Sequence, residues 1–252
     1  YANTDSIYIA DSANSRIVVL QRDTLELDRI LEQPRIAQLG EDFIYTPTRL
    51  TVDYAGRIYV IAKGVNKGLI RLAPDGTFTS FFGAPDVEYN ILELLWRKIA
   101  TKEQREQMQQ YVPTEYNAVL MDKKGFLYTV SQTSATTPVA KLNSAGDNVL
   151  NELSLTGDAE YLHSLGQVGG SYFTDICLGP NDTYTILDAQ SSKLYVYTSE
   201  GEMLHAFGNT GSQKGLFYSA SSVEQMEDSL LVTDATKGTI TIFRLTQFGQ
   251  AV

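Results

Sequence analysis

Histidine and cysteine are scarce in this sequence, which limits the metal and redox chemistry open to it. Cys177 is the only cysteine, so an intrachain disulfide and a thiolate zinc cluster are both excluded. The two histidines, His163 and His205, are too few for a three-histidine zinc site. Cys177 lies in an apolar run with Ile176 and Leu178, and we therefore predict that it is a small buried hydrophobic residue.

Long apolar runs and basic patches are also missing. A membrane-spanning helix needs about 20 apolar residues, whereas the apolar runs here are only as long as a strand. The formal net charge is −10, so nucleic acid is not an expected partner. We expect no membrane insertion by these residues. The hydrophobic fraction of 43% is enough for a sizeable core.

An internal repeat is the strongest feature that is present. Five units share it: Asp5–Leu20, Leu50–Leu72, Asn117–Gln132, Asp175–Tyr197 and Ser222–Phe243. A complete unit has a short apolar strand, a tight turn, a β-rich strand, a polar hairpin loop and two further strands. In the turn Asp53–Gly56, glycine supplies a left-handed backbone at little steric cost. Four short antiparallel strands per unit predict an all-β fold built from propeller blades.

Particular residues link these units to one repeat family. The loop Asp11–Arg16, with the sequence DSANSR, resembles the D-x-x-N-x-R core of the NHL repeat. Weaker copies are Asp188–Lys193 and Asp234–Thr239. The ending Leu204–Gly208, followed by Gly215–Phe217, is similar to the passage from one NHL blade to the next. The resemblance implies an NHL-type β-propeller, six-bladed when intact, of which about five repeats are visible here.

A narrower resemblance concerns the second and third units. Arg49–Gly64, followed by Trp96–Lys102 and Val112–Glu115, is similar to bacterial NHL proteins, often from Firmicutes, that are called gluconolactonase-like. Their resemblance implies an extracytoplasmic location, secreted or membrane-tethered, and it implies no activity because a shared fold does not carry a shared function. The first unit lacks its inner strand, so we expect further residues upstream.

Two insertions interrupt what is otherwise a single propeller domain over residues 1–252. One covers about 84–112 and the other about 154–172. Three aliphatic side chains share one helical face of the first insertion: Ile91, Leu95 and Ile99. With a capping-box sequence at Thr101–Gln104, they predict short helices over Tyr89–Ala100 and Lys102–Tyr111. We interpret the two predicted helices either as a lid or docking element or as a seal for the seam between two blades.

Topology places both insertions on one face of the propeller. A blade-to-blade connection exits on the same face as the loop between the second and third strands, and long loops on a rigid scaffold often carry function. Lys63 and Gln132 lie on such loops, and Tyr161, His163 and Tyr172 lie in the second insertion. The tyrosines could stack on a sugar or peptide or simply pack the loop. His163 could act as a general base, but no nucleophile motif accompanies it.

The inner strands begin at the same face, so polar residues near their starts should line the channel mouth. These residues are Arg49, Glu115, Asn117, Asp175 and Glu224. Glu115, Asn117 and Asp175 could supply oxygen ligands to a divalent cation, as a propeller lactonase requires. Strand alternation argues against all three facing inward, and channel-mouth acids also occur without a metal.

The trio Asp11, Asn14 and Arg16 has a simpler explanation than chemistry. Because similar residues recur in several units, we interpret them as a turn device in which the aspartate accepts hydrogen bonds and the arginine pairs with it. The candidate ligand-binding residues are therefore Arg49, Lys63, Glu115, Asn117, Gln132, Tyr161, His163, Tyr172 and Asp175. We predict no catalytic residue and no cofactor, and the sequence leaves the metal open.

Three functional hypotheses follow. The absence of catalytic motifs favours a non-catalytic extracytoplasmic domain that binds a small molecule, for example a carbohydrate, or a protein partner. The first alternative is a hydrolase of the lactonase type that depends on a divalent metal. The second is a structural or oligomerising module of a membrane-tethered protein, which an exposed apolar face on the predicted helices would favour.

Overall fold

The computed structural model describes residues 1–40, 42–83, 115–131, 138–150 and 171–244, which form five antiparallel β-sheets. Sheet 1 comprises β1 (Ser6–Asp11), β2 (Arg16–Gln21) and β3 (Leu27–Leu31). Sheet 2 comprises β4 (Pro47–Val52), β5 (Ile58–Ala62), β6 (Leu69–Leu72) and β7 (Phe78–Phe82). Sheet 3 comprises β8 (Tyr116–Met121), β9 (Leu127–Ser131) and β10 (Val139–Leu142). Sheet 4 comprises β11 (Phe173–Leu178), β12 (Tyr184–Asp188), β13 (Lys193–Tyr197) and β14 (Met203–Gly208). Sheet 5 comprises β15 (Ala220–Met226), β16 (Ser229–Asp234) and β17 (Thr239–Arg244).

Each sheet is a meander in which consecutive strands pair side by side. The inner strands β4, β8, β11 and β15 pack against one another in that order, and β1 packs beside β4. An isolated bridge between Ala2 and Ile7 places the first residues along the inner edge of β1. Sheets that radiate in sequence from adjacent inner strands form a β-propeller, which confirms the predicted fold class.

Helical structure is confined, within the described ranges, to three single 3-10 turns at Ser12–Asn14, Ala37–Leu39 and Pro180–Asp182. The predicted helices at 84–112 lie outside these ranges, as does all of the second insertion except residues 171 and 172. None of the helices in the described part of the chain has the length and apolarity needed to span a bilayer.

The hydrophobic core is divided among the seams between neighbouring sheets. The middle strands β5, β9 and β12 are buried at all five of their positions, because each of these sheets is covered on both faces. Sheets 1 and 2 meet around Ile17 and Val60, and sheets 4 and 5 meet around Leu194, Phe217 and Val232. Cys177 is 1% exposed in the latter seam, which confirms it as a buried small residue.

The two end sheets are covered less completely. Ile240 and Ile242 of β17 are 61% and 58% exposed, and Ile9 of β1 is 43% exposed. No buried cluster in the described ranges joins sheet 5 to sheet 1. Five sheets are described, and the six blades of an intact ring stay a prediction.

The turn after β4 shows how local sequence sets the hairpin that leads outward from the channel. Gly56 has a φ of 78° and donates its N–H to the Asp53 carbonyl at 2.9 Å. The Asp53 carboxylate accepts hydrogen bonds from the N–H groups of Ala55 and Arg57. The predicted left-handed glycine is therefore confirmed, since a Cβ is strained at this φ.

Candidate functional site

A cavity of about 690 Å³ occupies the axis of the propeller. Its wall is formed by β1, β4, β8, β11 and β15, that is, by strands of all five sheets. The aliphatic part of the wall comes mainly from β8 and β11, whereas Tyr1 and Tyr8 contribute aromatic rings. Its remaining polar side chains are Thr48, Arg49, Thr51, Asp175, Ser222 and Glu224. The volume lies in the range of pockets that enclose small molecules.

A β-bulge near the start of each inner strand sets which residues face this cavity. The pairing register shifts between Pro47 and Arg49, and it shifts in the same way before Ala118, Asp175 and Ser222. The residues that follow the bulge therefore occupy equivalent positions in sheets 2 to 5. A bulge bends the strand and redirects the next side chain, so Arg49, Asp175 and Ser222 meet at one level of the channel.

Asp175 joins three sheets at that level. Its Oδ2 accepts hydrogen bonds from Ser222 Oγ at 2.6 Å and from the Val223 N–H at 3.1 Å. Its Oδ1 accepts one from the Ile176 N–H at 3.1 Å and lies 3.6 Å from Arg49 Nη1. Asp175 is 5% exposed, so the carboxylate is both buried and nearly saturated with donors. It is a structural centre of the site rather than a free acid.

Arg49 and Glu224 are the charged groups that retain hydrogen-bonding capacity. The Arg49 side chain is 41% exposed, and among the described residues it makes only the 3.6 Å ion pair with Asp175. Among the described residues, the Glu224 carboxylate accepts a hydrogen bond only from the N–H of its neighbour Gln225, at 3.1 Å. A guanidinium has five donors and a carboxylate about four acceptor sites, so both groups can bind a ligand in the channel.

The environment of Glu224 disfavours its charged form. Although Glu224 is an exposed residue, partial desolvation raises the pKa of its carboxyl, and the nearby Asp175 raises that pKa further. The Gln225 N–H and Arg49 oppose this rise without cancelling it. A carboxylate that is desolvated and near another anion gains from a ligand that donates hydrogen bonds or positive charge.

Glu224→Gln is accordingly expected to stabilise the protein at neutral pH. A carboxyl whose pKa is raised in the folded state does not lower the free energy of unfolding when the pH is below its ordinary pKa of 4.5. It lowers that free energy by the full amount once the pH exceeds the raised value. The increase in Tm should therefore be present at neutral pH and vanish in acid. Thermal unfolding across this range measures it, with Glu227→Gln on the exposed turn after β15 as the control. An increase that is the same at every pH would contradict the assignment.

Thr51 is a polar group in the wall that the sequence did not single out. Thr51 is 1% exposed, and its Oγ1 has no hydrogen-bond partner among the described residues. Thr51 lies two residues after Arg49 in β4, and Glu224 lies two residues after Ser222 in β15. The two residues therefore occupy equivalent positions in their strands. A buried hydroxyl without a partner costs free energy, and a ligand in the cavity could satisfy it.

The structure separates the predicted site residues into two groups. Arg49 and Asp175 line the cavity and contact each other. Lys63 and Glu115 are exposed at strand ends and do not line it. Tyr172 is 36% exposed, and its N–H donates to an Asp188 carboxylate oxygen. Three predicted residues lie outside the described ranges: Gln132, Tyr161 and His163.

Two of the proposed metal ligands are engaged in other contacts. Asn117 is the extra residue of its bulge, and its Nδ2 donates to the Phe173 carbonyl at 2.8 Å. Asp175 is committed to Ser222, Val223 and Arg49. The described residues contain no group of three or more histidine, cysteine, aspartate or glutamate side chains that could hold a metal ion. Glu115, Asn117 and Asp175 thus do not form one ligand set here.

The Asp11 loop has the geometry of a turn device. Both Asp11 carboxylate oxygens accept from Asn14 Nδ2 at 2.9 Å, and Arg16 Nε donates to Oδ2 at 2.9 Å. Together these bonds lower the pKa of Asp11, with the Arg16 bond making the largest contribution. Asp188 and Asp234 accept backbone N–H groups in the corresponding loops of sheets 4 and 5. This geometry supports the structural interpretation of the trio.

Comparisons with known proteins show the fold. No protein-family model matches the sequence, and neither does any curated protein. A protein of unknown function from Bacteroides caccae is 11% identical, with a TM-score of 0.56 over 97% of this chain and 70% of that one. A catalytically inactive variant of virginiamycin B lyase from Staphylococcus aureus, solved with quinupristin, is 11% identical, with a TM-score of 0.54 over 98% of this chain and 68% of that one.

A third similar structure is a protein of unknown function from Bacteroides thetaiotaomicron VPI-5482. It is 10% identical, with a TM-score of 0.60, and the alignment covers 95% of this chain but 56% of that one. These neighbours share the propeller-like all-β arrangement. At such identities the likeness extends to the fold alone, because function depends on the site.

Proposed function

We propose that this chain is a non-catalytic, ligand-binding domain of the NHL-propeller type that takes a small hydroxyl-rich molecule, such as a carbohydrate, into its axial channel. The observation that carries the proposal is that Arg49 and Glu224 line one cavity, each with unused hydrogen-bonding capacity. Sugar hydroxyls both donate and accept, so a single ring can use the carboxylate and the guanidinium together. An extracytoplasmic location, implied by the NHL resemblance, is part of the proposal.

The chemistry of the wall supports binding over catalysis. None of the described residues that line the cavity is a histidine or a cysteine. Burial raises the pKa of the Cys177 thiol, with smaller contributions from Glu224 and Asp175, which suppresses the thiolate. The virginiamycin B lyase structure carries an inactivating histidine-to-alanine change. In this chain, His205 lies on the outer strand β14 and stacks on Phe207, so nothing at the described site favours that activity.

Arg49→Gln is expected to weaken carbohydrate binding without unfolding the protein. Loss of a charge-assisted hydrogen bond, worth about 1.5–3 kcal/mol, corresponds to a rise of about tenfold to a hundredfold in Kd. Calorimetric titration of a panel of mono- and oligosaccharides measures it. Arg244→Gln removes the same charge from β17, at a position that does not line the cavity, and should leave Kd unchanged.

The same protein preparation tests the alternatives. Equal loss of binding in both arginine variants would place the site elsewhere than the channel. Turnover of a lactone that requires Ca²⁺ and stops on chelation would replace the binding function with the hydrolase. Failure of every carbohydrate to bind, together with self-association in solution, would favour the structural module.

A further inference from the structure

The charged side chains of the channel do not balance. Those in its described wall are one guanidinium, that of Arg49, and two carboxylates, those of Asp175 and Glu224. Arg49 is already within 3.6 Å of Asp175, whose other contacts are N–H and O–H donors. Glu224 is therefore the surplus anion. Its carboxylate accepts only the Gln225 N–H from the described residues, and Glu224 lines the cavity.

Two other features of the wall complement a cationic donor. The Thr51 hydroxyl is buried and has no partner among the described residues, and its oxygen can accept a hydrogen bond from an ammonium or a hydroxyl group of a ligand. Tyr1 and Tyr8 line the same cavity, and their ring centroids are 6.1 Å apart with planes tilted by 56°. Aromatic faces attract cations, most strongly where water is excluded.

The charge of the whole chain acts in the same direction. A net charge of −10 produces a negative potential around the molecule, which concentrates cations near it and repels anions at low ionic strength. A ligand with a single positive group would be drawn to the channel and would neutralise the Glu224 carboxylate there. An anionic ligand could pair with Arg49 only by approaching Glu224 and Asp175 as well.

We infer that the ligand of this channel is an amine-bearing molecule, an aminated sugar or polyol, whose ammonium group pairs with Glu224 while its hydroxyl groups contact Arg49 and Thr51. The inference rests on the proposed binding function and narrows its ligand class. Glu224 is then a specificity-determining residue that selects the charge of the ligand. Arg49 supports binding of the hydroxyl groups, whichever charge the ligand carries.

Three probes that differ at one position test the inference. They are glucose, glucuronate, and the glucose analogue in which an aminomethyl group replaces the hydroxymethyl group. Because the ring is constant, differences in Kd report the charge at one carbon. In calorimetric titrations at neutral pH, the aminomethyl analogue should bind about tenfold more tightly than glucose, as expected for one partly desolvated ion pair. Glucuronate should be the weakest of the three.

Variants assign the preference to one residue. Glu224→Gln should bring the affinities for glucose and its aminomethyl analogue to within about twofold of each other. Glu227→Gln removes the same charge from the exposed turn beyond β15 and should keep the tenfold preference. Thermal unfolding confirms that both variants are folded, and Glu224→Gln is expected to be the more stable.

The outcomes separate the inference from the function on which it depends. Equal affinity for all three probes, or tighter binding of glucuronate, would overturn the inference and leave a carbohydrate-binding channel in place. A preference for the amine that survives in Glu224→Gln would also overturn it, since another group would be responsible. If none of the probes binds at concentrations up to its solubility, the proposed function itself is wrong.

Discussion

Asp175→Ala is expected to lower the free energy of unfolding by about 3 kcal/mol, the cost of deleting one partner of a buried, hydrogen-bonded charge. The carboxylate is 5% exposed and accepts from Ser222 and from the Val223 N–H of the next sheet. Its removal leaves that N–H buried without its acceptor and leaves Arg49 without its counter-charge. Denaturant unfolding followed by circular dichroism measures the loss.

Two further variants make the Asp175 result interpretable. Ser222→Ala deletes one donor of the group and should cost about 1 kcal/mol, the usual contribution of a single hydrogen bond. Asp182→Ala removes an exposed carboxylate that pairs with Lys124, and its effect should be much smaller because surface ion pairs contribute little. A loss at Asp175 no larger than that at Asp182 would show that the carboxylate does not join the sheets.

The importance of Asp175 could be anticipated from the sequence, but its role could not. Its position near the start of an inner strand predicted a place at the channel mouth, and both Asp175 and Arg49 line the cavity. The sequence gives no sign that the carboxylate is saturated by donors from the neighbouring sheet. Those bonds join residues 47 and 48 positions apart, and such separations depend on the packing of whole sheets.

The bulges explain which wall residues were missed. Strand alternation assigns residues to faces with a period of two, and a bulge shifts that assignment by one residue. The shift before Ala118 leaves Asn117 bonded to a neighbouring backbone carbonyl, and the shift before Ser222 brings a serine of no distinctive pattern onto Asp175.

The fold itself was predictable because it depends on local patterns that recur. Turn glycines, β-branched strands and apolar runs of strand length each appear several times, and consistent signals reinforce one another. Middle strands such as β5, whose residues are all buried, read in the sequence as continuous apolar runs. The ligand has no such signal, because it is set by a few side chains that converge from different sheets.

Phe217→Ala should be among the most destabilising single substitutions outside the channel, with a loss of about 3–5 kcal/mol for a large buried aromatic residue. Phe217 is 0% exposed and fills the seam between sheets 4 and 5 with Leu194 and Val223. A Cβ placed on Gly208, whose φ is 79°, would lie 3.3 Å from the Phe217 ring and 2.9 Å from a backbone oxygen. The surrounding backbone is therefore packed too tightly to move into the cavity that alanine would leave.

The neighbouring aromatic residue provides a matched control for that substitution. Tyr218 is 52% exposed, so Tyr218→Ala should lose far less stability, whereas Phe217→Leu should fall between the two. Phe217→Ala should also weaken ligand binding, because Val223, which packs against the Phe217 cluster, holds Asp175 through its N–H. Denaturant midpoints and the Kd of the aminomethyl sugar measure the two effects. Similar losses in Phe217→Ala and Tyr218→Ala would mean that the seam between sheets 4 and 5 does not support the channel wall.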